Sequence, residues 1–112
     1  MTMQRGAPSP ERDDLLRTLD DLLVLLRTHG ETTWADWLDR DRRLIADGHP
    51  DAVAHLLAAY GGMGSFSDLA LHRANGHEID DDKARAVNDR LRTLRSAVHA
   101  QATALRERES PP

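Results

Sequence analysis

The stretch PERDDLLRTLDDLLVLLRTHG, residues 10–30, decides the fold class. Leu15, Leu19, Leu22, Leu23 and Leu26 recur three and four residues apart, with Leu16 widening the stripe, which is the spacing of one face of an α-helix. Its start is punctuated by Ser9 as N-cap, Pro10 at the first helical position, and Glu11, Asp13 and Asp14 where the helix dipole favours carboxylates. Its end is set by Gly30 just after His29. Met1 to Ser9 carries Gly, Pro and Ser without periodicity and reads as a disordered lead-in.

The same punctuation recurs along the chain. Thr32 or Thr33 caps a second predicted helix with Trp34, Trp37, Leu38, Leu44 and Ile45 on one face, ending at Asp47 and Gly48. Pro50 opens a shorter third helix, where Val53, Leu56, Leu57 and Tyr60 fall at i, i+3, i+4 and i+7. Asp80 to Asp82 start a last helix of about 25 residues, whose stripe of Ala84, Val87, Leu91, Leu94, Val98 and Leu105 is heptad-like and interrupted at Gln101. No useful run alternates apolar and polar residues, so strands are not expected. The fold class is all-α: a small antiparallel helical bundle of about four helices, with a long C-terminal helix and a Gly-rich connecting loop. It forms a single domain over residues 10–107, followed by a disordered tail at 108–112. Trp34, Trp37 and Tyr60 are expected to plug the core, so that Trp37→Ala unfolds or badly destabilises the domain.

Composition narrows the function classes. The chain of 112 residues has no cysteine, which removes disulfides, thiolate nucleophiles and thiolate metal sites together. No apolar run approaches the roughly 18 to 20 residues that span a bilayer, and the N-terminus lacks the apolar core of a signal peptide, so a cytoplasmic protein is expected. Residues 1–82 hold 16 acidic and 8 basic side chains, whereas residues 83–112 hold 3 and 7. An acidic body repels phosphates and suits a basic protein partner. Arg85, Arg92, Arg95 and Arg106 line the last helix without aromatic residues between them for base stacking, so no nucleic-acid partner is expected. Lys83 is the sole lysine, a bias that points to a GC-rich genome rather than to a function.

Between the third and fourth helices lies YGGMGSFSDLALH, residues 60–72. Gly61, Gly62 and Gly64 fix a backbone shape, and a Gly-rich turn before a helix start can hold an anion on backbone N–H groups. A phosphate loop of the P-loop kind also needs a lysine beside its final Ser or Thr, and here Phe66 follows Ser65. The structural reading is that Gly61 and Gly62 end one helix, Phe66 drops into the core, and Ser65 or Ser67 caps the next turn.

His72, His77, Glu78 and Asp80 to Asp82 gather nitrogen and oxygen ligands, yet their spacing fits neither an HExxH helix nor an EF-hand loop. No metal and no cofactor are expected, and His72, His77 and Glu78 remain the weak candidates for a metal or acid/base site. Asp41, four residues from both Trp37 and Ile45, points toward the apolar face and is expected to find an arginine or a backbone donor at the edge of the core. His55 and His99 flank apolar stripes as packed or half-exposed side chains.

TWADWL (33–38), AVAHLLAAYGGMGSFSDLALH (52–72) and NGH (75–77) together resemble a family of small uncharacterised bacterial proteins, a domain of unknown function. The resemblance covers roughly residues 15 to 80 and brings no reaction and no catalytic residue. Similar small acidic helical proteins serve as immunity proteins that cap toxins, and this likeness implies a non-enzymatic interaction module. In that role the acidic Asp13, Asp20, Asp36 and Asp39 and the glycine loop (Gly61, Gly62, Gly64, Ser65) face a basic partner such as a toxin, with self-association through the C-terminal helix as a further expectation. The alternative is a small-molecule or anion-binding module built on the glycine loop. An enzyme is the third class, with no nucleophile and base at a recognisable spacing.

Overall fold

Helix α1 (Pro10–Thr28) begins where the Ser9 hydroxyl accepts a hydrogen bond from the Arg12 N–H at 3.2 Å. The computed structural model describes residues 9–61 and 65–109, and among these the chain is all-α, 78% helical, with four helices and no strand. The earlier part of the lead-in, Gly62, Gly64 and the last three residues of the chain lie outside the described residues. The leucine stripe of α1 is buried along its length, each side chain contributing about 1.5 to 3 kcal/mol. At its end Gly30 takes a φ of 76°, and a Cβ there would meet the Glu78 carboxylate at 3.0 Å. Both constraints favour glycine at this turn.

The cap of α2 (Thr32–Ala46) corrects the sequence expectation. Glu31, not Thr32 or Thr33, is the N-cap, its Oε2 accepting from the Trp34 N–H at 2.9 Å. Its other oxygen, Oε1, is held by the His77 ring at 2.9 Å, so a side chain longer than the usual capping residues is fixed in place from a distant part of the chain. Helix α2 buries Ala35, Leu38, Asp41 and Ile45. Helix α3 (Ala52–Ala58) buries Ala52, Val53 and Leu56.

Beyond α3, Phe66 is fully buried in the 3-10 turn Phe66–Asp68, and the Ser65 hydroxyl caps that turn by accepting from the Ser67 N–H. The polar stretch that follows is held by side chains in place of a ladder. Asn88 accepts from the Leu71 N–H at 2.7 Å and donates to the Leu71 and Ala84 carbonyls at 2.8 Å each. Glu78 N–H donates to the His29 carbonyl at 2.9 Å, and His29 Nδ1 donates to the Glu78 carbonyl at 2.7 Å. A buried backbone needs such partners, and here they come from single residues.

Helix α4 (Ala84–Glu109) follows directly on the 3-10 turn Asp81–Lys83. It buries Leu91, Leu94, Val98, Ala102 and Leu105, so Ala102 fills the position where Gln101 seemed to interrupt the stripe. That stripe is spent inside the chain, since α4 packs on α1 and α3. Arg12 meets Glu109 at 3.0 Å and Arg108 meets Glu11 at 3.5 Å, which sets α1 and α4 antiparallel and carries α4 two residues into the expected tail. Arg42 to Asp20 (2.6 Å) and Arg27 to Asp39 (3.6 Å) do the same for α1 and α2. Among the described residues no helix is long and apolar enough to cross a membrane.

Candidate functional site

Trp37 is not a core residue. It is 36% exposed, and with Val24 it is one of the large apolar side chains left at the surface among the described residues. The buried face of α2 runs through Ala35, Leu38, Asp41 and Ile45, which turns Trp37 to the flank, where its ring stacks on His55 of α3 at 4.8 Å and 15°. Trp34, packed against the core, lies beside it at 5.6 Å. Trp37→Ala would therefore remove a largely covered flanking ring rather than open a cavity in the core.

The third member of the cluster is Asp41, fully buried on the same helix. Its partner is neither an arginine nor a backbone group, as the sequence suggested, but the His55 ring, with Nδ1 2.7 Å from Oδ1. Oδ2 has no hydrogen-bond partner among the described residues. Burial raises the Asp41 pKa above the ordinary carboxylate value, while the His55 hydrogen bond and charge, and then Arg40 and Trp37, oppose the rise. With Asp41 ionised, Nδ1 of His55 carries the hydrogen and the half-exposed ring keeps Nε2 for solvent or a ligand. A histidine so held can move a proton, but among the described residues no hydroxyl is hydrogen-bonded to it to act as a nucleophile. What the cluster achieves is orientation: a buried anchor fixes an imidazole, and the imidazole fixes an exposed indole.

Around this ledge the predicted acidic residues divide. The Asp36 side chain is 78% exposed and only loosely approached by Arg27 at 3.9 Å. Asp39 is bound by Arg43 and lies 3.6 Å from Arg27, and its pKa is lowered chiefly by the Arg43 hydrogen bond. Asp36 is therefore the carboxylate free to meet a partner, and Asp39 is largely neutralised within the chain.

The remaining predicted residues take structural positions. His77 is buried, with Nδ1 accepting from the His72 N–H at 3.0 Å, so its Nε2 carries the hydrogen that goes to Glu31. His72 Nδ1 accepts from the Ala74 N–H at 3.0 Å. Both rings thus spend a nitrogen lone pair on backbone, and no group of three or more His, Asp or Glu side chains that could hold a metal ion is found among the described residues. Glu78 flanks the Gly30 turn. Gly61 is exposed, outside the left-handed region, with the Ala58 carbonyl 3.2 Å from where its Cβ would stand. Ser65 is a turn cap. Neither Asp41–His55 nor Glu31–His77 was singled out as a pair from the sequence, since 14 and 46 residues separate their members.

A family model described as a domain of unknown function (DUF6966) matches residues 27–80, a little under half of the chain. No curated protein and no solved structure matches. The matched segment holds α2, α3, both histidine–carboxylate pairs and the Trp34–Trp37 ledge, and leaves out most of α1 and all of α4.

Proposed function

We propose that this protein is a non-enzymatic interaction module that presents the α2–α3 face, led by Trp37 and Asp36, to a basic protein partner, as bacterial immunity and antitoxin proteins do. The observation that carries this role is the exposed Trp37 ring, held flat on His55, which a fully buried Asp41 anchors. Tryptophan is enriched among the few residues that dominate binding energy, and an anchor already fixed in place loses little conformational entropy on contact. The acidic excess over residues 1–82 supplies steering toward a basic surface. The proposal includes action in the bacterial cytoplasm, where such proteins meet their toxins.

Co-expression with proteins encoded by neighbouring genes, followed by affinity measurement on the captured complex, tests the role. Trp37→Ala and Asp36→Lys are each expected to weaken the complex at least about tenfold, the effect of losing an interface anchor or reversing a facing charge. Both variants should keep cooperative thermal unfolding. Unaltered affinity in both, or failure of the protein to protect against an adjacent toxin, removes the proposed role.

A further inference from the structure

The cleft between α4 and the side chains of Tyr60 and Ser67 holds chemistry that the α2–α3 face does not use. Arg92, Arg95 and His99 stand at i, i+3 and i+7 on α4, so one helical face carries all three. With Tyr60, Ser67 and Ser96 they line a cavity of about 350 Å³, within the size range of small-molecule sites.

Arg95 is fixed rather than mobile. Its Nη1 donates to the carbonyls of Phe66 (3.1 Å) and Leu69 (3.0 Å), its guanidinium lies 5.9 Å from the centre of the Phe66 ring, and the Tyr60 hydroxyl donates to the Arg95 backbone carbonyl at 2.7 Å. Two of five N–H groups are thereby used, leaving those of Nε and Nη2, a planar fork suited to an oxyanion. Burial lowers the Arg95 pKa; Tyr60 opposes the fall, the Arg92 charge adds to it, and Asp68 opposes it. The two guanidinium groups still repel, although Arg92 is already paired with Asp89 and Asp68 attracts Arg95. An anion seated between them would relieve the repulsion. The His99 ring meets the edge of the Tyr60 ring at 4.9 Å, giving the cleft an aromatic wall beside its cations.

We propose that this cleft binds a small phosphomonoester, its oxyanion held by Arg92, Arg95 and His99 and its organic group against the Tyr60 ring. The test titrates phenyl phosphate and inorganic phosphate separately into the full chain, labelled for amide NMR, at low salt. Expected are saturable shifts centred on Tyr60, Ser67, Arg92, Ser96 and His99, with phenyl phosphate the tighter ligand. Arg92→Gln and His99→Gln alter exposed side chains, and the double variant should bind phenyl phosphate at least about tenfold more weakly, for the loss of two charge-assisted contacts. Absence of saturation with both ligands, shifts scattered over the whole chain, or parental affinity in the double variant overturns the site. Equal affinity for the two ligands overturns the assignment of the organic group to Tyr60.

Discussion

The α1–α4 seam and the segment from Arg27 to Asp80 share apolar burial but differ in what is added to it. In the seam, five buried leucines of α1 face Leu91, Leu94, Val98, Ala102 and Leu105, and the ion pairs at the helix ends are partly or fully exposed, a class of interaction worth little. In the segment, α2, α3 and the Phe66 turn also bury apolar side chains, but directed bonds are added to that burial: Glu31 to Trp34 and His77, Asp41 to His55, and His29 to Glu78. Apolar burial has no direction, so the seam tolerates exchange among apolar side chains of similar volume. A buried polar pair accepts few substitutes, because losing one member strands the other. The seam relies on apolar burial, and the segment adds bonds that hold particular residues in particular orientations.

The sharpest way to test this contrast is to damage each side in turn. Leu26→Ala, at a fully buried seam position, should cost about 2 to 5 kcal/mol, read from the urea midpoint of global unfolding. Glu31→Ala removes both the α2 cap and the acceptor for a buried histidine, and should cost about 1 to 3 kcal/mol. Its loss should also appear locally, as faster hydrogen exchange at the amides of Trp34 and His72, whereas Leu26→Ala should accelerate exchange through global opening. Glu31→Gln keeps acceptor oxygen and should recover part of the loss; identical exchange patterns for the Leu26 and Glu31 variants would erase the distinction between the two regions.

The smallest effect is expected at Asp41 and depends on pH. Its carboxyl pKa is raised in the folded state, chiefly by burial, so the folded chain holds this proton to higher pH than the unfolded chain does. Stability contributed by this group therefore falls as pH rises from the ordinary carboxylate pKa through the raised value. Asp39 and Glu11 have lowered values and act in the opposite sense, which is why the parent must be compared with Asp41→Asn at each pH. The free-energy difference should move in favour of Asn across that window and level off above it. A difference that stays constant with pH would show that Asp41 does not titrate within the fold.

How much of this was legible in the sequence follows from the range of each interaction. The four helices and the Phe66 plug were readable because helix periodicity and capping are set within a few residues. Trp37 was misplaced because apolar character was taken as burial, although Asp41 rather than Trp37 occupies the buried line of α2. Glu31 was passed over because two threonines are better caps in isolation, and the advantage of Glu31 comes from His77, 46 residues away. The arginine cleft lay beyond reach for the same reason. Arg95 appears in sequence as one cation among several on an amphipathic helix, and only the packed chain places it beside Phe66 and Tyr60.

One consequence of the ring geometry is optical. His55, Trp37, Trp34, Phe66 and Tyr60 form a continuous succession of neighbours, with centroid separations of 4.8, 5.6, 5.4 and 5.6 Å. Two indoles at 5.6 Å and 53° have coupled transition dipoles held at a fixed skew, which gives a circular-dichroism signal of native packing rather than of helix content. Trp37, the more exposed of the two, lies flat on an imidazole, whose cationic form quenches indole emission. The protein therefore carries its own chromophore pair, one ring packed against the edge of the core and the other facing whatever settles against the surface.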